Sequence, residues 1–452
     1  MFSSSIYKSS PVWLQELMMS TRAYGRLTMR EGQRFRRFLA EADRTQWLDA
    51  TELRRYQEDH VRRLLECAAS QVPLYQELYG HSPSLERSAI DTLHSLPVID
   101  KDTLRKAGSR AMRERPSWPL FEGGTSGTTG PPLKLKQDLS AINRENAFVF
   151  RQLRWAGYEP GQPRAWIRGD MIVPADDTTP PFWRRNAAEN MLVLSSYHLS
   201  ATTAQGYLDA LARFDPQIIQ AYPSSIGFLA SYLHSKNLDY GGRRLRGVVT
   251  SSETVDDETR RLVKQRFGCA IFDWYGQFER VAAIGTCEHG SLHVIEDYSY
   301  VELLPNGEGE CEIVGSGFNN LVMPLIRYRT GDLVEPSADA TACRCGRIFR
   351  TVKRVMGRDE DVIKLPDGRM IGRLDHIFKG LDSILDAQIR QDETRSVMIL
   401  IVPGEGFGPH TVESIRANAA ERLGSGIRID VETVASLPRT KSGKFRRVIC
   451  NV

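Results

Sequence analysis

Hydrophobic and polar residues alternate with a helical period along the first quarter of the chain. In Ala50–Ser70 (ATELRRYQEDHVRRLLECAAS), apolar residues recur at spacings of three and four with charges between them, which predicts an amphipathic helix. Asp100, in SLPVIDKDTLRKAG, is a plausible N-cap for a further helix. We therefore expect residues 1–110 to be mainly helical.

The pattern changes in the middle of the chain, where short apolar runs alternate with helical stretches. The apolar runs are PQIIQAYPSS, LRGVVTSS and AIFDWYG. A helical stretch follows each of the first two, IGFLASYLHSKN and DDETRRLVKQRFG respectively. Strand and helix in alternation predict an α/β domain with a largely parallel sheet. Ligands in such sheets bind at the carboxyl ends of strands, where the turns 251–253 and 275–279 fall.

Two sections beyond this core have patterns of their own. HVIEDYSYVELL and GECEIVG alternate as antiparallel strands joined by the turn PNGEGE. From about residue 357, a strand (VMILIVP), a helix stopped by Gly424 and a strand (IRIDVETV) predict a small α+β domain. We predict an N-terminal domain 1–357, with an α/β core at 111–315 and a β-rich part at 285–357, and a C-terminal domain 358–452.

Composition narrows the class of protein. With 452 residues, two or three domains are expected. Lys and Arg number 60 against 56 Asp and Glu, a formal net charge of +4, which gives no argument for nucleic-acid binding. We find neither an apolar run long enough to span a bilayer nor a secretory h-region, so a cytoplasmic protein is expected. Its seven cysteines are then expected to be free thiols or metal ligands rather than disulfides.

The run GGTSGTTGPP is the first candidate for chemistry. Its glycines allow close approach of backbone N–H groups to an anion, and its hydroxyl groups could cradle a polyphosphate. It lacks the Gly-Lys-Ser/Thr ending of a P-loop. When this run is considered without the rest of the chain, a phosphate-binding loop and a solvated linker are about equally good interpretations.

Four segments taken together resemble the adenylate-forming superfamily, which includes acyl-CoA ligases, peptide-synthetase adenylation domains and luciferases. They are GGTSGTTG, YGQFE, YRTGDL and PRTKSGKFRR, in this order. Within this superfamily, the finer resemblance is to the phenylacetate–CoA ligase family, and it is carried by VPLYQELYG, LVMPLIRYRTGDLV and CRCGR. VIKLPDGRMIGRLDHIF and AYPSSIGFLA resemble its capsule- and exopolysaccharide-associated branch.

The resemblance implies a role for each segment in binding ATP. The loop that would hold the β- and γ-phosphates comprises Thr125, Ser126, Gly127, Thr128, Thr129 and Gly130. The residues that would surround the adenine, AMP and ribose are Ser251, Ser252, Glu253, Asp273, Tyr275, Gly276, Asp332 and Arg358. Glu279 would help to hold Mg²⁺, a hard cation that favours carboxylate and phosphate oxygens.

Lys444 would bridge the attacking carboxylate and the α-phosphate, where an ammonium group stabilises the developing charge. Glu360 matches the hinge about which the family's C-terminal domain rotates between half-reactions. Tyr222 is the candidate for lining the acyl pocket, which Phe278 would narrow.

The implied reaction is activation of a carboxylic acid, with an aryl acid as the suggested class, through an acyl-adenylate. A thiol then attacks, most simply that of coenzyme A. Loading of a separate carrier-protein pantetheine or of an amine, and a non-catalytic partner-binding role on the same scaffold, remain alternatives. By analogy with the branch, a homodimer is the assembly to consider.

A cluster of cysteines and histidines adds a metal hypothesis. CEHGSLH offers Cys287 with His289 or His293, and CRCG offers Cys343 and Cys345. Two thiolates from one loop and a Cys–His pair from another can close a tetrahedral Zn²⁺ site. His293 is the preferred fourth ligand and His289 the alternative. Four protein ligands would make the zinc structural, whereas surface thiols beside a strand histidine are the alternative interpretation.

Overall fold

The structure is a computed structural model. It describes residues 5–79, 88–124, 133–174, 177–307, 309–337, 343–358, 363–366, 370–371, 374–378, 381, 383–424, 426–439 and 445–452. The chain divides into two compact units. The first unit comprises Met1–Tyr24, Ala156–Ile271 and Gly357–Val452, and the second comprises Gly25–Trp155 and Phe272–Met356.

The helices are concentrated in the first third of the chain, as the periodicity predicts. They are α1 Ser5–Ser9, α2 Val12–Arg30, α3 Gln33–Thr45, α4 Ala50–Gln71, α5 Pro73–Tyr79, α6 Ala89–Ser95, α7 Lys101–Ala107, α8 Leu139–Trp155, α9 Ala204–Phe214, α10 Pro223–Ser235, α11 Asp257–Phe267 and α12 Pro409–Leu423. Short 3-10 helices are formed by Gly108–Ala111, Ser196–His198 and Leu374–Phe378.

The strands begin after the helical segment. They are β1 Leu120–Gly124, β2 Lys134–Asp138, β3 Arg164–Arg168, β4 Trp183–Asn186, β5 Met191–Ser195, β6 Ile218–Ala221, β7 Gly247–Ser251, β8 Ala270–Gly276, β9 Ala283–Thr286, β10 Leu292–Val294, β11 Ser299–Pro305, β12 Cys311–Gly317, β13 Tyr328–Pro336, β14 Thr351–Arg358, β15 Ile363–Lys364, β16 Met370–Ile371, β17 Ile384–Glu393, β18 Ser396–Pro403, β19 Arg428–Thr433 and β20 Val448–Cys450.

Local capping fixes several helix ends. Asp49 and Glu52 form a reciprocal capping box at the start of α4, which satisfies two N–H groups that a helix start leaves without partners. Asp100 is the N-cap of α7, and its carboxylate accepts a hydrogen bond from the Thr103 N–H at 2.8 Å. Gly424 ends α12 with a φ of 82°, a conformation that favours glycine. The sequence prediction for the last two caps is confirmed.

The first unit contains the parallel part of the sheet, in the order β7-β6-β3-β5-β4. The pairs β6–β7, β3–β6 and β3–β5 are parallel, and β4 is antiparallel at the edge. All residues of β5 and β6 are buried, as expected for strands covered on both faces. In the C-terminal part of the same unit, a second sheet has the order β19-β18-β17-β20.

The second unit contains the antiparallel strands and most of the N-terminal helices. Its strands follow the order β11-β12-β13-β14-β10-β9-β8, with β8–β9, β9–β10, β10–β14, β11–β12 and β12–β13 antiparallel. One hydrophobic core joins α4 to α7 with residues near Tyr328. The predicted α/β fold with a parallel core and a β-rich section is confirmed. Among the described residues, none of the helices combines the length and apolarity that a membrane crossing requires.

Candidate functional site

In the first unit, Ser251 and Ser252 lie at the carboxyl end of β7, as predicted. One guanidinium nitrogen of Arg168 donates to the hydroxyl oxygens of Ser251 at 2.7 Å and Ser252 at 2.8 Å. Ser252 has a φ of 76°, a left-handed conformation that costs free energy for a residue with a side chain. The strained turn holds both hydroxyl groups at the end of a buried parallel strand, where ligands of such sheets bind.

Tyr222 follows β6 and precedes α10 in the same unit. Its ring is buried, and the Arg168 guanidinium lies 5.0 Å from the ring centroid, a cation–π distance. Burial raises the pKa of Tyr222 above its ordinary value, although the charge of Arg168 opposes this. Tyr222 and the two serines are therefore connected through one arginine, which the sequence analysis did not single out.

Glu253 follows the two serines. One carboxylate oxygen accepts a hydrogen bond from the backbone N–H of Ser224, in the first turn of α10, at 3.0 Å. The other accepts from the backbone N–H of Phe445 at 2.5 Å. The role implied for Glu253 beside the nucleotide stays a prediction.

In the second unit, the segments YGQFE and YRTGDL come together. The hydroxyl of Tyr275 donates to Asp332 Oδ2 at 2.7 Å, and the hydroxyl of Tyr328 donates to Glu279 Oε1 at 3.3 Å. Both carboxylates are buried, with 7% of Asp332 and 8% of Glu279 exposed. Burial and then the charge of Asp332 raise the pKa of Tyr275 well above its ordinary value, so the phenol remains a donor.

The neighbouring residues lie in β8 or directly after it. The Gln277 amide donates to the Tyr275 hydroxyl at 3.1 Å. Asp273 is buried in β8, and its backbone N–H donates to Thr286 Oγ1 at 3.0 Å. A Cβ at Gly276 would lie 3.0 Å from the indole nitrogen of Trp274. Glycine therefore fits this position because the indole packs close to its backbone.

Phe278 contacts Gly123 in the same unit. A Cβ at Gly123 would lie 2.2 Å from the ring of Phe278, and the ring packs against the core that contains α4 to α7. The absence of a side chain at Gly123 thus makes room for the phenyl ring. The narrowing of an acyl pocket by Phe278 stays a prediction.

Several predicted residues lie outside the described part of the chain. They are Thr125, Ser126, Gly127, Thr128, Thr129, Gly130, Glu360 and Lys444. Arg358 is the last residue of β14. The roles implied for all of these residues stay predictions.

The four predicted zinc ligands converge in the second unit. One ligand atom from each of Cys287, His293, Cys343 and Cys345 lies within 4.8 Å of the other three. The sulfurs of Cys287 and Cys343 are 3.7 Å apart, and His293 Nε2 is 3.4 Å from the sulfur of Cys345. His289 is not in this group, so the preference for His293 agrees with the geometry.

The spacing of these atoms suits a tetrahedral metal better than a disulfide. Zn–S bonds of about 2.3 Å at tetrahedral angles separate two sulfurs by about 3.8 Å, whereas a disulfide needs about 2.05 Å. All seven cysteines are free of disulfide bonds. His293 Nδ1 lies 2.9 Å from the carbonyl oxygen of Phe349, the second contact that typically orients a metal-bound histidine.

The thiols of the cluster differ in acidity. Burial raises the pKa of Cys287 to about 12. Burial acts in the same direction on Cys343, but hydrogen bonding to Ser291 and to the backbone of Cys345 outweighs it and lowers the pKa to about 6. Cys343 is therefore the more acidic of these two thiols, and the thiolate is the form in which cysteine binds a metal.

Arg347 follows the CRC segment, and its backbone N–H donates to the sulfur of Cys345 at 3.5 Å. Its guanidinium stacks 4.6 Å from the Trp47 ring centroid and 4.2 Å from that of Trp155. It also donates to Gln46 at 2.9 Å and pairs with Glu288 at 2.8 Å. Only 4% of this residue is exposed, and nothing in local periodicity could have revealed its partners.

The fold is similar to that of known ligases. The crystal structure of 2-hydroxyisobutyryl-CoA ligase in the postadenylation state with R3-HIB-AMP matches with a TM-score of 0.67 at 19% identity, covering 90% of this chain and 92% of that one. An open conformation of the same ligase with 2-HIB-AMP and CoA matches with a TM-score of 0.53 at 18% identity, over 90% and 94% of the two chains. These matches show that the chain has the fold of adenylate-forming ligases.

Comparison with curated sequences gives the branch. The chain is 22% identical to Protein CapK of Staphylococcus aureus, over 99% of both chains. It is 26% identical to phenylacetate-coenzyme A ligase of Pseudomonas putida, over 69% of this chain and 72% of the ligase. A family model described as the CapK C-terminal domain matches residues 363–451. The chain is therefore similar to phenylacetate-coenzyme A ligase and related to Protein CapK, as the sequence motifs indicate.

Proposed function

We propose that the protein is an ATP-dependent acid–thiol ligase that forms an acyl-adenylate and then transfers the acyl group to a thiol, with coenzyme A as the preferred acceptor. The observation that carries the proposal is the double contact between YGQFE and YRTGDL. Two segments about fifty residues apart, each implied in ATP binding, meet through Tyr275–Asp332 and Tyr328–Glu279.

The chemistry follows in two steps. In the first, a substrate carboxylate oxygen attacks the α-phosphorus of ATP, the bond to the bridging oxygen of the β-phosphate breaks, and pyrophosphate leaves. In the second, a thiol sulfur attacks the acyl carbon, the thiol proton is lost, and AMP leaves. Such reactions require positioning and charge neutralisation more than covalent chemistry by the protein.

The buried carboxylates are suited to the nucleotide and its metal. Asp332 would accept hydrogen bonds from ribose hydroxyls, while Tyr275 fixes the carboxylate. Glu279 would supply a hard oxygen ligand to Mg²⁺, which neutralises charge on phosphate oxygens when bound. Ser251 and Ser252 of the first unit would contact the adenine or AMP. Lys444 would stabilise charge at the α-phosphorus during adenylation.

Pyrophosphate release with ATP, Mg²⁺ and a panel of aryl and aliphatic acids tests the activity. We expect release that depends on one class of acid, and Glu279→Gln should lower its rate on the order of 10²-fold. Glu258→Gln, which changes an exposed carboxylate on α11, is the matched control and should retain the wild-type rate. Lys444→Ala should abolish adenylate formation and retain thioester formation from supplied acyl-AMP.

The result also separates the alternatives. Pyrophosphate release without acyl-CoA formation would favour a carrier-protein or amine acceptor. A wild-type protein that binds ATP but releases no pyrophosphate with any acid would favour a partner-binding role and would contradict the proposal. An aryl acid as substrate is supported only by the resemblance to phenylacetate–CoA ligases, so the panel of acids decides the substrate class.

We further propose that Cys287, His293, Cys343 and Cys345 hold a structural Zn²⁺ ion. Four protein ligands leave no open coordination position for catalysis. Metal analysis should find about one equivalent of zinc per chain. Cys345→Ser should lose most of it, while Cys450→Ser, at an unclustered cysteine, should retain it. A wild-type protein with less than about half an equivalent would contradict the site.

A further inference from the structure

The residues on both sides of 440–444 are held by contacts within the first unit. Before residues 440–444, Arg439 Nη1 donates to Ser224 Oγ at 3.0 Å. After them, the backbone N–H of Phe445 donates to Glu253 Oε1. Residues 440–444 themselves lie outside the described part of the chain. Both attachments lead to the same place, the N-terminal turn of α10.

Glu253 is the centre of this attachment. Its second oxygen accepts from the Ser224 N–H at 3.0 Å. A carboxylate at the first turn of a helix is stabilised by the N–H groups and the partial positive charge there. Since this contact fixes the side chain, the remaining oxygen is a preoriented acceptor for Phe445. The hydrogen bond from Phe445 is charge-assisted and therefore stronger than one between neutral groups.

A second contact reinforces the first, two residues further along. Arg447 Nη1 pairs with Asp256 Oδ2 at 2.6 Å. Asp256 is also the N-cap of α11 and accepts from the Thr259 N–H at 2.7 Å. Burial would raise the pKa of Asp256, but Arg447 and the Thr259 N–H outweigh it and keep the carboxyl ionised. Two carboxylates from the turn after β7 thus bind Phe445 and Arg447.

We propose that Glu253 is a positioning residue for adenylation: through the Phe445 N–H it fixes the residue that follows Lys444 in the sequence, with the Asp256–Arg447 ion pair as its support. The inference rests on the proposed function, because it assigns Lys444 to the first half-reaction. It gives Glu253 a role different from contact with the nucleotide. The charge of Glu253 matters for this role, because a neutral side chain would make a weaker hydrogen bond with the Phe445 N–H.

The two half-reactions distinguish these roles when measured separately. Glu253→Gln should lower kcat for pyrophosphate release roughly 10- to 100-fold, the cost of misplacing a catalytic group by about an ångström. KM for ATP and thioester formation from supplied acyl-AMP should remain at wild-type values. Asp256→Asn should act in the same direction and more weakly, because asparagine retains the N-cap of α11. Glu258→Gln on the same helix is the control.

Amide hydrogen exchange supplies a readout that needs no activity. The Phe445 amide should be protected in the wild-type protein and should exchange faster in Glu253→Gln, while amides within α10 keep their rates. An equal fall of both half-reactions, a raised KM for ATP with unchanged kcat, or unchanged Phe445 exchange would overturn the proposal. If the wild-type protein releases no pyrophosphate at all, the proposed function fails, and the exchange result still decides the contact.

Discussion

The buried ion pair of Arg151 and Asp297 gives the sharpest prediction about stability. Arg151 lies on α8 and Asp297 lies between β10 and β11, and they are 1% and 0% exposed. They form two hydrogen bonds, at 2.6 Å and 3.0 Å. Thr45 of α3 donates to the same carboxylate at 2.5 Å. Asp297→Asn removes the negative charge and leaves the side chain nearly the same size.

The expected cost follows from what remains after the change. The Arg151 guanidinium would stay buried beside the rings of Phe148 and Trp155 without a balancing carboxylate. Removing one partner of a buried pair costs about 3–5 kcal/mol, because the other charge is left without compensation. For a unit of about 200 residues, this corresponds to a fall in Tm of roughly 10 °C.

Calorimetry and urea unfolding measure the effect. Glu77→Gln is the matched control in the same unit, because Arg110 and Glu77 form a 2.7 Å pair in which both side chains are about half exposed. Such exposed pairs contribute about 0–1 kcal/mol. If Asp297→Asn lowers the free energy of unfolding no more than Glu77→Gln does, the buried ion pair does not stabilise the unit as we infer.

Two further predictions concern substitutions at single positions. Burial raises the pKa of Asp386 from 3.8 to about 6 in the folded protein. The folded state therefore binds the Asp386 proton more tightly than the unfolded state does. The free energy of unfolding should fall as pH rises through that range, by up to about 3 kcal/mol. Urea unfolding between pH 4 and 7 should show this loss in the wild type and a flatter profile in Asp386→Asn, and equal profiles would contradict it. Gly315→Ala should unfold at lower temperature or fail to accumulate, because its Cβ would lie 2.1 Å from the Val281 carbonyl oxygen; a wild-type Tm would show that the backbone adjusts freely.

Features set by neighbouring residues were predictable from the sequence. The apolar periodicity of α4, the Asp100 N-cap, the Gly424 terminus and the strand AIFDWYG all depend on local spacing and backbone preference. The pairing of Cys287 and His293 with the CRC segment was also predictable, because the ligand types limit which residues can share a metal.

Features set by distant side chains were not predictable. Arg151 and Asp297 are 146 positions apart, and Glu253 and Phe445 are 192 positions apart. Neither pair has a local signature, since an arginine or a glutamate on an amphipathic element is usually solvated. Their partners are decided by which faces the folded strands and helices bring together.

The fate of carboxylate oxygen is the measurement that tests the central claim most directly. The protein is incubated with ATP, Mg²⁺, coenzyme A and the acid that releases most pyrophosphate, with both carboxylate oxygens labelled with oxygen-18. Attack on the α-phosphorus followed by thiolysis predicts one labelled oxygen in AMP and one in the acyl thioester. Label in inorganic phosphate with ADP as the product, or AMP without label, would contradict an acyl-adenylate intermediate.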